Sequence, residues 1–424
     1  MSRRLRPRSL LLFFVALGLA GCGGNLGTPG GSPQRLPDAR VHAPRSQSAS
    51  EWILYNFPGG NDGAFPYAGL LEDKDGDLYG TTDGGGGSDA GAVFKLTPGS
   101  GGYTETVLYA FSGKPDGALP YSTLVEGKKG VLYGTTYSGG SLGDGCVFAL
   151  TPSRAGYVES VLYSFSGSAG DGGNPYAGLF IDKKSGVLYG TTLYGGAYGP
   201  GAVFSLTPTG NGWSEKVIYS FRGGNDGAVP YAGLIQDKDG TFYGATIEGG
   251  HANAGTIYKL TPAGNSYSES VLYAFKGGSG DGAAPYGLLL NKMQALYGTT
   301  LDGGTTGNGT VFELKPSGSA YTEKLVYSFQ GGNDGSAPHS GLTLTKGGTL
   351  YGTTSAGGLY GSGTVFELAR SHGAYAESVA YSFEGYPDAG SPFGNLFETK
   401  AGTLLGLSFN GGYDGNGTVF QITP

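Results

Sequence analysis

Leu78-Tyr79-Gly80-Thr81-Thr82, followed by glycines and then by Gly91-Ala92-Val93-Phe94-Lys95-Leu96-Thr97-Pro98, is a phrase that the chain writes seven times. Its central glycine returns at Gly134, Gly190, Gly244, Gly298, Gly352 and Gly406, at steps of 54, 56, 54, 54, 54 and 54 residues. Self-similarity at a fixed period marks a repeat architecture, in which each copy buries its apolar faces against its neighbours. The array fills residues 52–424, so one repeat-built domain accounts for a length that could otherwise hold two or three.

Each copy holds four short apolar runs. In the first they are residues 53–57, 67–71, 77–82 and 92–97, rich in Val, Ile, Tyr, Phe and Thr and separated by Gly and Asp. Runs of this length and composition are strands. The 86 Gly and 30 Tyr, with only 14% charged residues, suit many strands joined by tight turns. In Asp73-Lys74-Asp75-Gly76 and Asp237-Lys238-Asp239-Gly240 glycine stands where a turn wants positive φ, and no stretch beyond the N-terminus keeps a 3.6-residue period. Helix content should be negligible.

Seven copies of four strands predict an all-β, seven-bladed β-propeller with four-stranded antiparallel blades. The strand layout is similar to kelch modules, with residues 67–71, 78–82, 93–97 and 107–111 as successive strands from the axis outward, although the kelch tryptophan is absent. On that phasing the chain ends after the third strand of its last blade. Residues 53–57 are then expected to supply the fourth strand and close the ring.

The N-terminus carries a different signal. Arg3, Arg4, Arg6 and Arg8 precede an apolar run from Leu10 to Leu19, too short to span a bilayer, which ends in Leu19-Ala20-Gly21-Cys22. That tetrapeptide resembles the bacterial lipobox. It implies that residues 1–21 are a lipoprotein signal peptide, that Cys22 carries lipid, and that residues 22–51, rich in Gly, Pro and Ser, are a tether. The expected address is the bacterial cell envelope, at the outer membrane or cell surface. Removing residues 1–21 takes away four Arg and no acid, moving the net charge from −7 to −11, which disfavours nucleic acid as a partner. Cys146 stands where other copies have Ala or Thr, so it reads as a small strand residue without a disulfide partner.

The phrase itself resembles the tandem repeat known as GloVer, or Gloeo_Verruco, found with a choice of anchor. The resemblance covers residues 52–424 and all seven units. It implies surface attachment and assigns no activity.

Alternate loops of a four-stranded meander share an end, so one rim collects the loops after the first and third runs of each copy. It holds one Asp per copy, Asp62, Asp116, Asp171, Asp226, Asp281, Asp334 and Asp388, each read as a turn residue bonded to nearby backbone N–H groups rather than a calcium ligand. Six tyrosines fall outside recurring slots: Tyr137, Tyr194, Tyr198, Tyr360 and Tyr413 in the glycine-rich loops, and Tyr386 in an Asp loop. Exposed aromatics on a propeller rim suit a sugar or peptide ligand. Arg222, Lys276, Gln330 and Glu384 occupy one further slot in consecutive copies and complete the candidate ligand-binding set. Candidate acids for glycoside hydrolysis are Asp83, Asp89, Asp144, Glu248, Asp302 and Asp414, with no pair singled out. No His, Cys and Asp spacing suggests a metal or catalytic set, and no cofactor is implied. The expectation is a monomeric binding module for a glycan or protein. The alternatives are a polysaccharide-acting propeller enzyme or a purely structural surface repeat.

Overall fold

The computed structural model describes residues 49–424 apart from 265, 319 and 372. Seven antiparallel sheets follow one another as the blades of a propeller. In the first blade, short inner segments Ala64–Pro66 and Leu71–Glu72 pair with Leu78–Gly84, which pairs with Ala92–Gly99, which pairs with the outer strand Gly102–Ala110.

The last blade is built from both parts of the chain. Leu404–Gly411 and Thr418–Thr423 are followed outward by Ser50–Asn56, antiparallel, with Ser50 opposite Thr423 and Asn56 opposite Thr418. The closure expected from the repeat phasing is therefore present.

Two strands differ from the sequence expectation. The inner run 67–71 is a continuous strand only in the fifth blade, within Gly282–Leu290; elsewhere it is reduced to two short bridges. The cause is local. The residue before each inner proline is left-handed, with φ of 50–59° at Phe65, Leu119, Asn174, Val229, Ala284, Ala337 and Ser391, and proline has no N–H for the ladder; even within Gly282–Leu290 the register shifts between Pro285 and Leu288. The outer strand is longer than 107–111, because Glu105 alternates inward with Tyr103 and Val107, and a polar residue on the inner face hides the period.

The conserved glycine of the repeated phrase has a steric reason. A Cβ on Gly80 would lie 2.5 Å from the Phe94 ring on the paired strand, and one on Gly190 would lie 2.6 Å from Phe204. The ring so admitted continues an aromatic ladder between blades: Tyr109 meets Phe111 at 5.2 Å, and Phe111 meets Phe148 of the next blade at 5.0 Å, edge to face. The ladder repeats at every interface, including Phe57 on Phe94 across the closure. Gly190→Ala is expected to lower stability by about 2–3 kcal/mol through overpacking. Shortening the facing ring, Phe204→Leu, should recover part of that loss in a denaturant double-mutant cycle, and strict additivity would refute the steric account.

The blades leave two unlike faces. One, the loop rim, carries the loops after each outer and each second strand; the other, the turn rim, carries the tight turns and the hairpins. The chain enters on the turn rim, since Ser50 pairs with the final Thr423. The expected signal peptide, Cys22 and most of the tether lie outside the described residues; residues 50 and 51 are already strand.

Candidate functional site

The seven Pro-aromatic pairs of the inner strands meet at the propeller axis. Tyr67, Tyr121, Tyr176, Tyr231, Tyr286, His339 and Phe393 form an unbroken ring, with successive centroid distances of 5.3, 5.0, 4.1, 4.6, 5.1 and 4.9 Å and a closing stack of 4.8 Å between Phe393 and Tyr67. The left-handed residue before each proline aims it there. Its N–H donates to a carbonyl of the preceding blade, as from Leu119 to Ala90 at 2.9 Å, and its own carbonyl accepts from the residue after the repeated Thr-Thr, as from Tyr137 at 2.9 Å. Burial pushes the Tyr67, Tyr176 and Tyr231 hydroxyls up, so they stay protonated. Burial lowers His339 to about 4, which keeps it neutral, with Nδ1 3.0 Å from the Ala337 carbonyl.

Two positions flank this ring on the loop-rim side, and both vary from copy to copy. One is the left-handed residue itself. The other follows Thr-Thr and reads Asp83, Tyr137, Leu193, Ile247, Leu301, Ser355 and Phe409. Tyr137 touches the rings of Tyr121 and Tyr176 at 5.8 and 6.4 Å, and Phe409 touches Tyr67 and Phe393 at 6.1 and 5.4 Å. Tyr194 packs with Leu193, Val229 and Ile247 beside Tyr231. Asp83 is half-buried, and burial together with the charge of Asp89 pushes its carboxyl up to about 7.

The candidate residues therefore divide. Tyr137 and Tyr194 join the axial cluster. Tyr198, Tyr360, Tyr386 and Tyr413 are 59, 48, 72 and 70% exposed and stand in the outer loops. Arg222 lies over the Tyr198 ring at 5.4 Å, Glu384 faces the Tyr360 hydroxyl, and Gln330 donates to Thr305 at 3.0 Å, so these three side chains engage the variable loops of the preceding copies. Lys276 is exposed. Of the candidate acids, Asp89 accepts the Gly85 N–H at 2.8 Å, while burial raises Asp302.

The per-copy Asp residues have their own place, at the blade edges. Asp116, Asp171, Asp281, Asp334 and Asp388 accept a tyrosine hydroxyl at 2.8–3.2 Å and a backbone N–H from the slot of Ser112, Ser166, Lys276, Gln330 and Glu384 at 2.8–2.9 Å. Asp226 does the same with Tyr219 and Arg222. Asp62 lacks the backbone bond because its slot residue is Pro58. Facing these carboxylates from the next outer strand are Glu51, Glu105, Glu159, Glu215, Glu269 and Glu323, all pushed up, chiefly by burial and then by the Asp: to about 9 for Glu51 and about 7 for the others. Sequence reasoning missed this glutamate, although its recurrence in every copy was a visible signal. Among the described residues no three His, Cys, Asp or Glu side chains converge as a metal site. Burial pushes the Cys146 thiol up to about 12, away from nucleophilic use.

A further concavity lies on the turn rim. It is a groove of about 760 Å³ across the first three blades, with Tyr133 and Trp213 in edge contact at 5.9 Å and Lys74, Lys128, Lys129 and Lys183 in its lining.

Solved structures share the propeller at low identity. The extracellular domain of a protein named as a hybrid two-component system from Bacteroides thetaiotaomicron aligns with a TM-score of 0.55 at 12% identity, over 88% of this chain and 39% of that one. A protein named as a 6-phosphogluconolactonase from Bacteroides uniformis aligns at 0.49 and 14%, over 81% and 89%; PorZ, a surface component of the type-IX secretion system of Porphyromonas gingivalis, aligns at 0.48 and 15%, over 86% and 46%. No curated protein matches the sequence. The repeat that builds this axis and its two rims is matched over residues 43–256 and 232–424 by one family model, and the chain belongs to the Gloeobacter/Verrucomicrobia repeat family.

Proposed function

We propose that the protein is an envelope-anchored binding module that holds a neutral glycan on the axial face of its loop rim. What supports the reading is one pattern: in a chain whose packing positions recur seven times, two slots that vary from copy to copy flank the aromatic ring. Positions set by packing are held to type, and positions that face a ligand are free to differ. Aromatic faces stack on the apolar faces of sugar rings. The rim's charge narrows the ligand further, since fourteen carboxylates stand there against Lys114, Arg222 and Lys276, which repels anionic polymers. The lipid on Cys22 would hold this module at the cell surface.

The test is a thermal-shift screen of neutral and anionic polysaccharides, since a ligand of the folded state raises its melting temperature. A neutral glycan is expected to give a shift that Tyr137→Ala and Tyr194→Ala abolish. A shift only with anionic polymers, or one indifferent to both substitutions, would overturn the axial site. Incubating the same glycan with wild type and Asp83→Asn, and measuring new reducing ends, separates binding from turnover.

A further inference from the structure

The turn rim carries a feature that the folding of the turns does not require. The second residue of every inner turn is lysine: Lys74, Lys128, Lys183, Lys238, Lys292, Lys346 and Lys400, all exposed. Its neighbour has diverged freely, through Asp75, Lys129, Lys184, Asp239, Met293, Gly347 and Ala401, so shared ancestry of the copies alone does not account for the lysine. Nor does the backbone, because that place in a turn accepts most residues.

The acids of the same turns offset the crown only in part: Lys74 pairs with Asp75 at 2.7 Å and Asp239 stands exposed beside Lys238, but the Asp that opens a turn is taken up by the turn itself. Asp73 is turned inward, taking N–H groups of Asp75 and Asp77 at 2.9 and 3.0 Å and the Tyr79 hydroxyl at 3.1 Å; Asp237 repeats this with Asp239, Thr241 and Tyr243. Asp182 accepts from Lys184 N–H and the Ser185 hydroxyl. Lys128 and Lys346 reach along the rim to the carbonyls of Lys184 and Thr399 at 3.4 and 3.3 Å, all the crown lysines stay exposed, and Lys129 and Lys184 add to them. With carboxylates dominating the opposite rim, the molecule is electrically polar along its axis. Apolar side chains stand among the lysines, with Met293 69% exposed and Trp213 and Tyr133 in the groove. This is the same rim on which the chain enters its first strand.

We infer that the lysine-crowned turn rim is a docking surface for the anionic phospholipid headgroups of the membrane that carries the protein's N-terminal anchor. Basic side chains near such a surface are drawn to its phosphates, and a basic patch is the second signal that steadies an acyl anchor. Docked in this way, the propeller presents its loop rim away from the membrane. The orientation rests on the lipidation of Cys22, while the attraction of the rim for headgroups does not.

The two parts are tested apart. Residues 47–424, which contain every described strand and the closing pair, are sedimented with phosphatidylcholine vesicles containing about a third phosphatidylglycerol, at low salt and at about threefold higher salt. Binding is expected with phosphatidylglycerol, and a loss of about tenfold or more without it or at the higher salt. Reversing Lys74, Lys128, Lys183 and Lys238 to Glu should abolish it; reversing Lys114, Arg222 and Lys276 on the other rim should not. Failure to bind at low salt, equal loss in both variants, or preference for a soluble anionic polysaccharide over the vesicles would overturn the inference. Acylation is read separately, from the mass of the full chain against Cys22→Ser, so an unmodified Cys22 would remove the anchor and leave the vesicle result standing.

Discussion

A chain that begins at Gly59 instead of Ala49 is expected to melt more than about 10 °C lower, or to fail to accumulate as a soluble monomer. The strand it would lack covers Thr418–Thr423 and brings Phe57, fully buried against Phe94, with Ile53, Leu54 and Tyr55 half-buried. One buried and three half-buried large side chains contribute about 5–8 kcal/mol, a large part of the 5–15 kcal/mol of a typical domain. The loss also exposes an unpaired strand edge, a template for aggregation. A peptide of residues 49–58 added in trans should restore the melting temperature. A truncated chain that melts like the parent, without the peptide, would mean that the ring is held by its blade interfaces alone.

Raising the pH should weaken the protein over a range where most proteins are steady. Burial and a facing Asp hold Glu105, Glu159, Glu215, Glu269 and Glu323 at about 7 and Glu51 at about 9, against 4.5 when free. Between the free and folded values the folded chain binds more protons than the unfolded one, so stability falls as pH rises. The contribution of each Glu is full below about pH 4.5 and is lost as the pH passes 7, with Glu51 continuing toward 9. These groups are partly open to water, so about 1 kcal/mol per pair is the reasonable scale, and the sum is a fall of about 5–10 °C between pH 5 and pH 8. Glu→Gln at the five positions near 7 should flatten the curve, because an amide keeps a donor toward Asp at every pH. A melting temperature that rises over this range, or a Gln variant with the parental slope, would refute the assignment.

The parts legible in the sequence were those governed by period and by turn chemistry. Blade count, strand order and the closing strand followed from the spacing of the glycines. The axial ring was less legible. The Pro-aromatic pair recurs in the sequence, but only the left-handed residue before it shows that all seven rings point to one axis. The glutamates were hidden because a residue that is inward yet titratable breaks the apolar alternation by which strands are recognised. The loop tyrosines were found as exceptions to the repeat, but their division into axial and peripheral sets depends on positions within loops, which periodicity does not encode. The left-handed slot, which varies between copies before a fixed proline, carried a signal that was available and unused.

The pairing of Ser50 with Thr423 makes the starting point of the chain topologically arbitrary. The two ends stand where every other blade has a hairpin turn, such as the one between Gly99 and Gly102. A link of a few residues there would yield a covalent circle of seven equivalent units, and opening any other hairpin would yield a permuted chain with the same contacts. The point at which the preceding residues join is thus separable from the rest of the architecture: they could join the same propeller at any of its seven blades, always on the same face.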